Sequence, residues 1–94
     1  MEYRFAWDPR KARANLAKHR VSFEEGSTVF ADPLSRIVDD PRHSVGERRD
    51  VIVGRSDRGR VLVVMFTERE DALRIFSSRS ATRAERRHYE EAHP

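Results

Sequence analysis

The sequence predicts a small α+β fold, an antiparallel sheet with helices packed on it. Three observations carry this reading. Residues 61–66, VLVVMF, form an unbroken apolar run, the pattern of a strand buried on both faces at a sheet centre. Ser22 with Glu25 and Thr82 with Glu85 are capping-box signals that open helices on either side of a strand-rich stretch. Short polar turns join the segments between them, and strands joined in that way run antiparallel.

The elements follow in order. Tyr3, Phe5 and Trp7 alternate with Arg4 and Ala6, which reads as a half-buried strand with an aromatic face. Asp8-Pro9 ends it and starts a helix, with Asp at the N-cap and Pro at the first helical position. Ala12, Leu16 and His19 share one face of that helix at spacings of four and three, which places His19 toward the core. Lys18 and His19 end it where the macrodipole favours positive charge. Arg20 and Val21 form a tight corner before the second helix, 23–30, which carries Phe23, Ser27 and Phe30 on one side. Asp32-Pro33 closes it. Strands are expected at 34–38, 61–66 and 72–77, and 51–54 is apolar and β-branched. A polar loop spans 39–50, a glycine-containing hairpin turn sits at Asp57-Arg58-Gly59, and the chain turns again over 68–71. The second capping box opens a terminal helix that runs to about Ala92. The element order is read as β-α-α-β-β-β-α.

Composition narrows the class. Ninety-four residues suit one domain over 1–94. There is no cysteine, so neither a disulfide framework nor a thiolate metal site is available. No apolar run is long enough to cross a bilayer, and the N-terminus lacks the apolar core of a signal peptide, so a soluble cytoplasmic protein is expected. The 19 Lys and Arg residues include only two lysines, Lys11 and Lys18, and arginine suits bidentate recognition of phosphate or carboxylate. The net charge is +3, unevenly spread. Six cations precede residue 21 against Glu2 and Asp8, and five arginines lie between 74 and 88 against Glu85 alone. If these two segments meet, they form a positive face that attracts nucleic acid; otherwise they are solvated helix faces.

The chemistry-bearing residues exclude several classes. His19, His43, His88 and His93 have no metal-ligand spacing, no glycine-rich phosphate cradle occurs, and no serine constellation suggests a nucleophile. Neither a metal nor a cofactor is expected. His, Glu, Lys, Tyr and Arg remain, and these suit metal-independent RNA cleavage, in which the ribose 2′-hydroxyl is the nucleophile. Such a site needs a base, an acid and cations around the phosphate; a positioned base or acid contributes about 10²–10⁴-fold. Three places supply candidates. The loop HSVGERR (43–49) sets His43 and Glu47 beside arginines. Arg69 and Arg79 lie at strand ends and are read as a phosphate clamp, the alternative for Arg79 being a bridge to an acidic side chain. The terminal helix offers Arg83, Arg86 and Arg87 as RNA-binding surface. Trp7 is expected in the core, not as a base-stacking ring.

Taken together, FAWD (5–8), Asn15 with KHRVSFEE (18–25), VFADP (29–33), HSVGERR (43–49), GRVLVVMFTER (59–69), RIFSSRSAT (74–82) and ERRHYE (85–90) resemble the BrnT family of type II toxin-antitoxin toxins. The resemblance implies a RelE-like domain and a ribonuclease that arrests translation. It also implies a BrnA-like antitoxin partner with a ribbon-helix-helix domain, assembled as a heterotetramer that reaches operator DNA through the antitoxin. Carried over residue by residue, it favours Lys18, Glu47, Arg60, Arg69 and Arg79 as catalytic, with His19 and His43 as further candidates. Two departures stand out. Arg20 replaces the glycine that usually follows Lys-His, and arginine disfavours a left-handed cap there. Phe76-Ser77-Ser78-Arg79 replaces the usual Ile-Ser-Ala-Arg.

A different class of function also fits: a non-catalytic module whose basic face holds an antitoxin or RNA. RNA bound but left uncut would favour it. Direct DNA binding fits least, since no helix-turn-helix pattern occurs.

Overall fold

The computed structural model describes residues 3–39 and 49–92. Its elements are β1 (Phe5–Ala6), α1 (Pro9–His19), α2 (Phe23–Thr28), a 3-10 turn (Val29–Ala31), β2 (Arg36–Asp39), β3 (Asp50–Arg55), β4 (Val61–Arg69), β5 (Ala72–Ser80) and α3 (Arg83–Glu91). The fold is α+β, and four strands follow the helices, one more than the order read from the sequence. The sheet runs β1-β5-β4-β3-β2, so the VLVVMF strand β4 lies at its centre. There Leu62, Val64 and Phe66 face one side while Val61 and Val63 are buried on the other.

Strands β2 to β5 are antiparallel, as short connections require. The expected all-antiparallel sheet is nevertheless mixed, because β1 pairs parallel to β5, Phe5 opposite Leu73 and Ala6 opposite Arg74. Two helices and three strands separate β1 from β5 in the chain, so no hairpin dictates their direction. The β4–β5 connection is a two-residue turn, Arg69 opposite Ala72, with Glu70 and Asp71 both at positive φ (49° and 61°). That geometry matches the right-handed strand twist.

Helices α1 and α2 cover one face of the sheet. Val21, Phe23, Val29, Ile52, Leu62, Val64, Phe66 and Ile75 form the core beneath them. Aromatic rings from the N-terminal strand join this side: Phe5 lies 5.2 Å from Phe30, and Trp7 meets Phe23 edge-on at 6.0 Å. Trp7 is thus a packing residue, as expected.

The first helix is rotated from its expected setting. Ala12, Asn15 and His19 are half-buried, while Leu16 is 48% exposed. Asn15 explains the rotation. Strand β1 covers β5 only at Leu73 and Arg74, leaving the Ser78 backbone without a strand partner on that side. The Asn15 amide fills the gap: Nδ2 donates to the Ser78 carbonyl (2.7 Å), and Oδ1 accepts from the Ser78 N–H (3.2 Å). Nδ2 also donates to the Val21 carbonyl (2.9 Å), fastening the corner to the sheet.

The corner itself adopts the left-handed cap despite its arginine. Arg20 has φ 60°, ψ 29°, and its N–H donates to the Leu16 carbonyl at 2.9 Å. Asp8 caps α1 as expected, accepting from the Arg10 N–H at 2.8 Å. The capping box at Ser22 is only half formed. Ser22 Oγ accepts from the Glu25 N–H at 3.0 Å, but the Glu25 carboxylate turns into the protein, away from the cap. The box at Thr82 is complete, with Thr82 Oγ1 accepting from the Glu85 N–H (3.1 Å) and Glu85 Oε1 from the Thr82 N–H (2.8 Å).

Candidate nucleic-acid interface

Strand alternation sorts the arginines between two sides of the sheet. Side chains on successive residues of a strand point to opposite faces. On β5, Leu73 and Ile75 pack into the core, and Ser78 Oγ lies against Gly26 of α2. Arg74 and Arg79 therefore project from the face opposite α1 and α2. On β4, Phe66 points inward and Arg69 outward by the same count. A register shift at Met65/Phe66 adds one residue to β5, which places Phe76 and Ser77 together between inward-facing Ile75 and Ser78. The Arg49 guanidinium lies over the Phe76 ring, 5.0 Å from its centroid. One sheet face thus carries Arg69, Arg74, the Arg49–Phe76 stack and Arg79.

The expected clamp of Arg69 and Arg79 is not formed. Arg79 lies opposite Val63, and Arg69 stands six residues further along β4. At about 3.4 Å per residue the two are roughly 20 Å apart, too far to hold one phosphate.

Arg79 instead has an acidic partner, the alternative foreseen for it. Its Nη1 and Nη2 donate to Glu85 at 2.8 and 3.0 Å, a bidentate fork. Nη1 also donates to the Ser80 carbonyl at 3.2 Å. Hydrogen bonds from Arg79 outweigh burial and, with the Thr82 N–H, bring the Glu85 carboxyl down to about 2. Glu85 accordingly serves two ends: it caps α3 and fixes the direction of Arg79. Beside it Arg83, Arg86 and Arg87 are all exposed on α3. The helix is anchored one turn on by Tyr89, whose hydroxyl donates to Asp32 Oδ2 at 2.5 Å. Burial pushes the Asp32 carboxyl up, but the Arg55 N–H, Tyr89 and the Leu34 N–H together hold it below its ordinary value.

Arg60 sits at the same end of the sheet with a different partner. Its Nε and Nη2 both donate to Glu25, the former at 3.0 Å, and Ser56 Oγ donates to the same carboxylate at 2.7 Å. Nη2 also reaches the Arg20 carbonyl at 3.4 Å. The Glu25 side chain is 4% exposed, against 38% for Arg60. Arg60 hydrogen bonds hold the Glu25 carboxyl below its ordinary value, although burial opposes them. This network ties α2, the β3–β4 hairpin and the Lys18–Arg20 corner together, so Arg60 has a structural task that its motif position alone did not disclose.

The other sequence candidates distribute as follows. Lys18 is exposed and has no hydrogen bond or ion pair with another described residue; His19 is half-buried. Both end α1, at the corner whose Arg20 carbonyl accepts from Arg60. Glu47 and His43 lie outside the described residues. Asn15, Glu25 and Glu85 were missed as positioning groups. Glu85 had a readable signal, since its capping box follows Arg79 by a few residues; Glu25 was read as a cap, and its long-range partner left no local trace.

Among the described residues no three His, Asp or Glu side chains are placed to hold a metal ion, and no helix is long and apolar enough to cross a membrane. The outward face presents several guanidinium groups on a rigid sheet, of which Arg79 is fixed by Glu85.

Comparison with known proteins gives this array a context. A search of curated proteins finds no match. Among solved structures, the fold is similar to the 1.1 Å crystal structure of the Brucella abortus ribonuclease toxin BrnT. The TM-score is 0.67 at 21% identity, covering 87% of this chain and 100% of that one. Residues 7–85 match the family described as the ribonuclease toxin, BrnT, of type II toxin-antitoxin systems. The match runs from Trp7 to Glu85 and takes in β5 with Arg79; the chain belongs to the BrnT toxin family.

Proposed function

We propose that this chain, a ribonuclease toxin by family, cleaves RNA without a metal and thereby arrests translation. The ribose 2′-hydroxyl attacks the adjacent phosphorus and loses its proton to a base. The P–O5′ bond breaks, the 5′-oxygen takes a proton from an acid, and a 2′,3′-cyclic phosphate remains. The observation that supports this best is the outward sheet face, where Arg79 is aimed by Glu85 and flanked by the α3 arginines. A guanidinium fixed before the substrate arrives stabilises charge on the phosphoryl oxygens without reorganising. Glu47 and His43 are chemically suited to be base and acid. Arg60 supports the site through Glu25, and Lys18 and His19, which end α1, are the alternative base and acid.

In this reading the chain is held inactive by an antitoxin with a ribbon-helix-helix domain, in a heterotetramer that meets operator DNA through the antitoxin. A single domain spanning 1–94 carries the activity. Expression without antitoxin is expected to halt growth and deplete intact RNA. Arg79→Gln is expected to relieve both, and Arg79→Lys, which keeps the charge beside Glu85 but loses the fork, to relieve them in part. Full toxicity in both variants would remove Arg79 from the mechanism.

One observation favours the alternative, a binding module. Glu25 and Glu85 are each committed to an arginine as ionised carboxylates, so neither is a base for the 2′-hydroxyl. Purified protein that binds RNA and leaves it intact, on ribosomes as well as free, would establish that alternative.

A further inference from the structure

The separation of Arg69 from Arg79 leaves Arg69 in a setting of its own. Around the β4–β5 turn an open cleft of about 470 Å³ is lined by Arg4, Ala6, Arg69, Ala72, Arg74 and the two turn residues Glu70 and Asp71. The pairing of Ala6 with Arg74 and of Arg69 with Ala72 explains why these side chains converge. All lie at one end of the sheet on the outward face, and Arg4 precedes the inward-facing Phe5. None of the three guanidinium groups has a hydrogen bond or ion pair with another described residue. Arg60 and Arg79, by contrast, are each held by a carboxylate. The Glu70 and Asp71 carboxylates also line the cleft, at the positive-φ turn, and leave three cations against two anions.

We propose that Arg4, Arg69 and Arg74 form an anchoring subsite for the RNA backbone, separate from the reacting phosphate at Arg79. This rests on the ribonuclease reading and adds where the rest of the substrate lies. Two features favour a nucleic-acid strand over an acidic peptide. The family is that of a ribonuclease toxin, whose substrate brings a run of phosphates that arginine forks match. The same outward face also carries Phe76 with the Arg49 guanidinium over its ring, and single-stranded bases stack on aromatic rings and on arginine planes. The span of roughly 20 Å to Arg79 accommodates up to about six nucleotides at ~3.4 Å per stacked phosphate. The substrate strand is therefore gripped several nucleotides from the reacting phosphate, with grip and chemistry at opposite ends of β5.

The test uses the full chain and a fluorescent 12-nucleotide RNA carrying 2′-O-methyl groups throughout, which binds but has no nucleophile. Affinity is measured against salt concentration. Each phosphate contact contributes about 0.7 to the slope of log K on log salt for single strands. Arg4→Gln/Arg69→Gln/Arg74→Gln should thus lower the slope by about 2 and weaken binding roughly 100-fold at 0.1 M salt. The lysine triple variant should retain most of both. Arg10→Gln/Lys11→Gln/Arg13→Gln, an equal charge change on exposed α1, should leave the slope unchanged. Equal losses in the α1 control, or an unchanged slope in the cleft variant, would overturn the subsite. So would retained RNA affinity with lost binding of a ten-residue polyglutamate peptide, which would make the cleft a peptide site. Should the triple variant misfold by circular dichroism, Arg69→Gln at the exposed turn should still lower the slope by about 0.7. Cleavage of the unmodified 12-mer is scored separately. Binding through the cleft without cleavage leaves the subsite standing and removes the ribonuclease reading.

Discussion

Replacing Arg60 by methionine separates a structural role from a catalytic one. Methionine keeps most of the apolar stem and removes the guanidinium. The Glu25 carboxylate then stays 4% exposed with only the Ser56 hydroxyl as a side-chain donor. Removing one partner of a buried ion pair costs roughly 3–5 kcal/mol, because the remaining charge is left uncompensated. Arg60 is itself 38% exposed, which places the expected cost near the lower bound, about 3 kcal/mol. For a domain of this size that lowers the melting temperature by roughly 15 °C. Urea unfolding at pH 7 should show a matching fall in midpoint at constant m. The pH dependence carries the diagnosis. Glu25 in the native protein is depressed below its ordinary 4.5, so its stabilisation is present above that pH and is lost as pH falls through the folded value. Without Arg60, burial becomes the largest influence on the carboxyl, opposed only by the Ser56 hydroxyl and the Arg58 charge. Protonation then relieves the penalty, and the two stability curves converge below about pH 4.5. Glu25→Gln with Arg60→Met, which removes both charges, should recover much of the loss. An unchanged midpoint at pH 7, or a gap that persists undiminished at acid pH, would refute the argument and return Arg60 to the catalytic set.

Two further outcomes follow from buried geometry. Ser78 Oγ is buried with no hydrogen-bond partner among the described groups, so Ser78→Ala should stabilise the fold by about 1 kcal/mol in urea titrations. Gly26→Ala brings a Cβ within 2.5 Å of that hydroxyl and should cost roughly 1–3 kcal/mol, a loss that Ser78→Ala partly repairs. Glu85→Gln should alter acid unfolding: the shift from 4.5 to about 2 corresponds to roughly 3 kcal/mol unscreened. Solvent screening at a pair 29% and 35% exposed halves this to roughly 1.5. That contribution is present above pH 4.5 and is lost as pH falls toward about 2, so the variant's stability should be flatter across that window.

The elements that could be read in the chain are those with local causes. Asp8-Pro9, Thr82 with Glu85 and the VLVVMF run each contain their own signal, a cap or an apolar pattern, and each appears where expected. The rotation of α1 had no such signal. Leu16 is the better apolar residue, but Asn15 completes the open edge of β5, and that edge exists only once β1 has proved to be two residues long. The parallel pairing of β1 is likewise a tertiary outcome. At the site, the sequence named Arg60 and Arg79 without their partners. Arg60 and Arg79 are each joined to a glutamate that also carries, or was expected to carry, a cap. Arg69 needed the strand register to show that it belongs with Arg4 and Arg74. Arg20 shows a preference overridden: its left-handed geometry is fixed by the corner that Asn15 and Arg60 bind on either side.

In the proposed reaction the substrate supplies its own nucleophile while Arg79, fixed by Glu85, holds the phosphate. That reaction is tested most directly with a set of 12-mer RNAs, each 2′-O-methylated except at one ribose, incubated with the purified chain in the presence of a chelator. Cleavage is expected only after an unmodified ribose, leaving a 2′,3′-cyclic phosphate and a 5′-hydroxyl. Cleavage at methylated positions, a 5′-phosphate product, or activity that returns only with a divalent metal would contradict it.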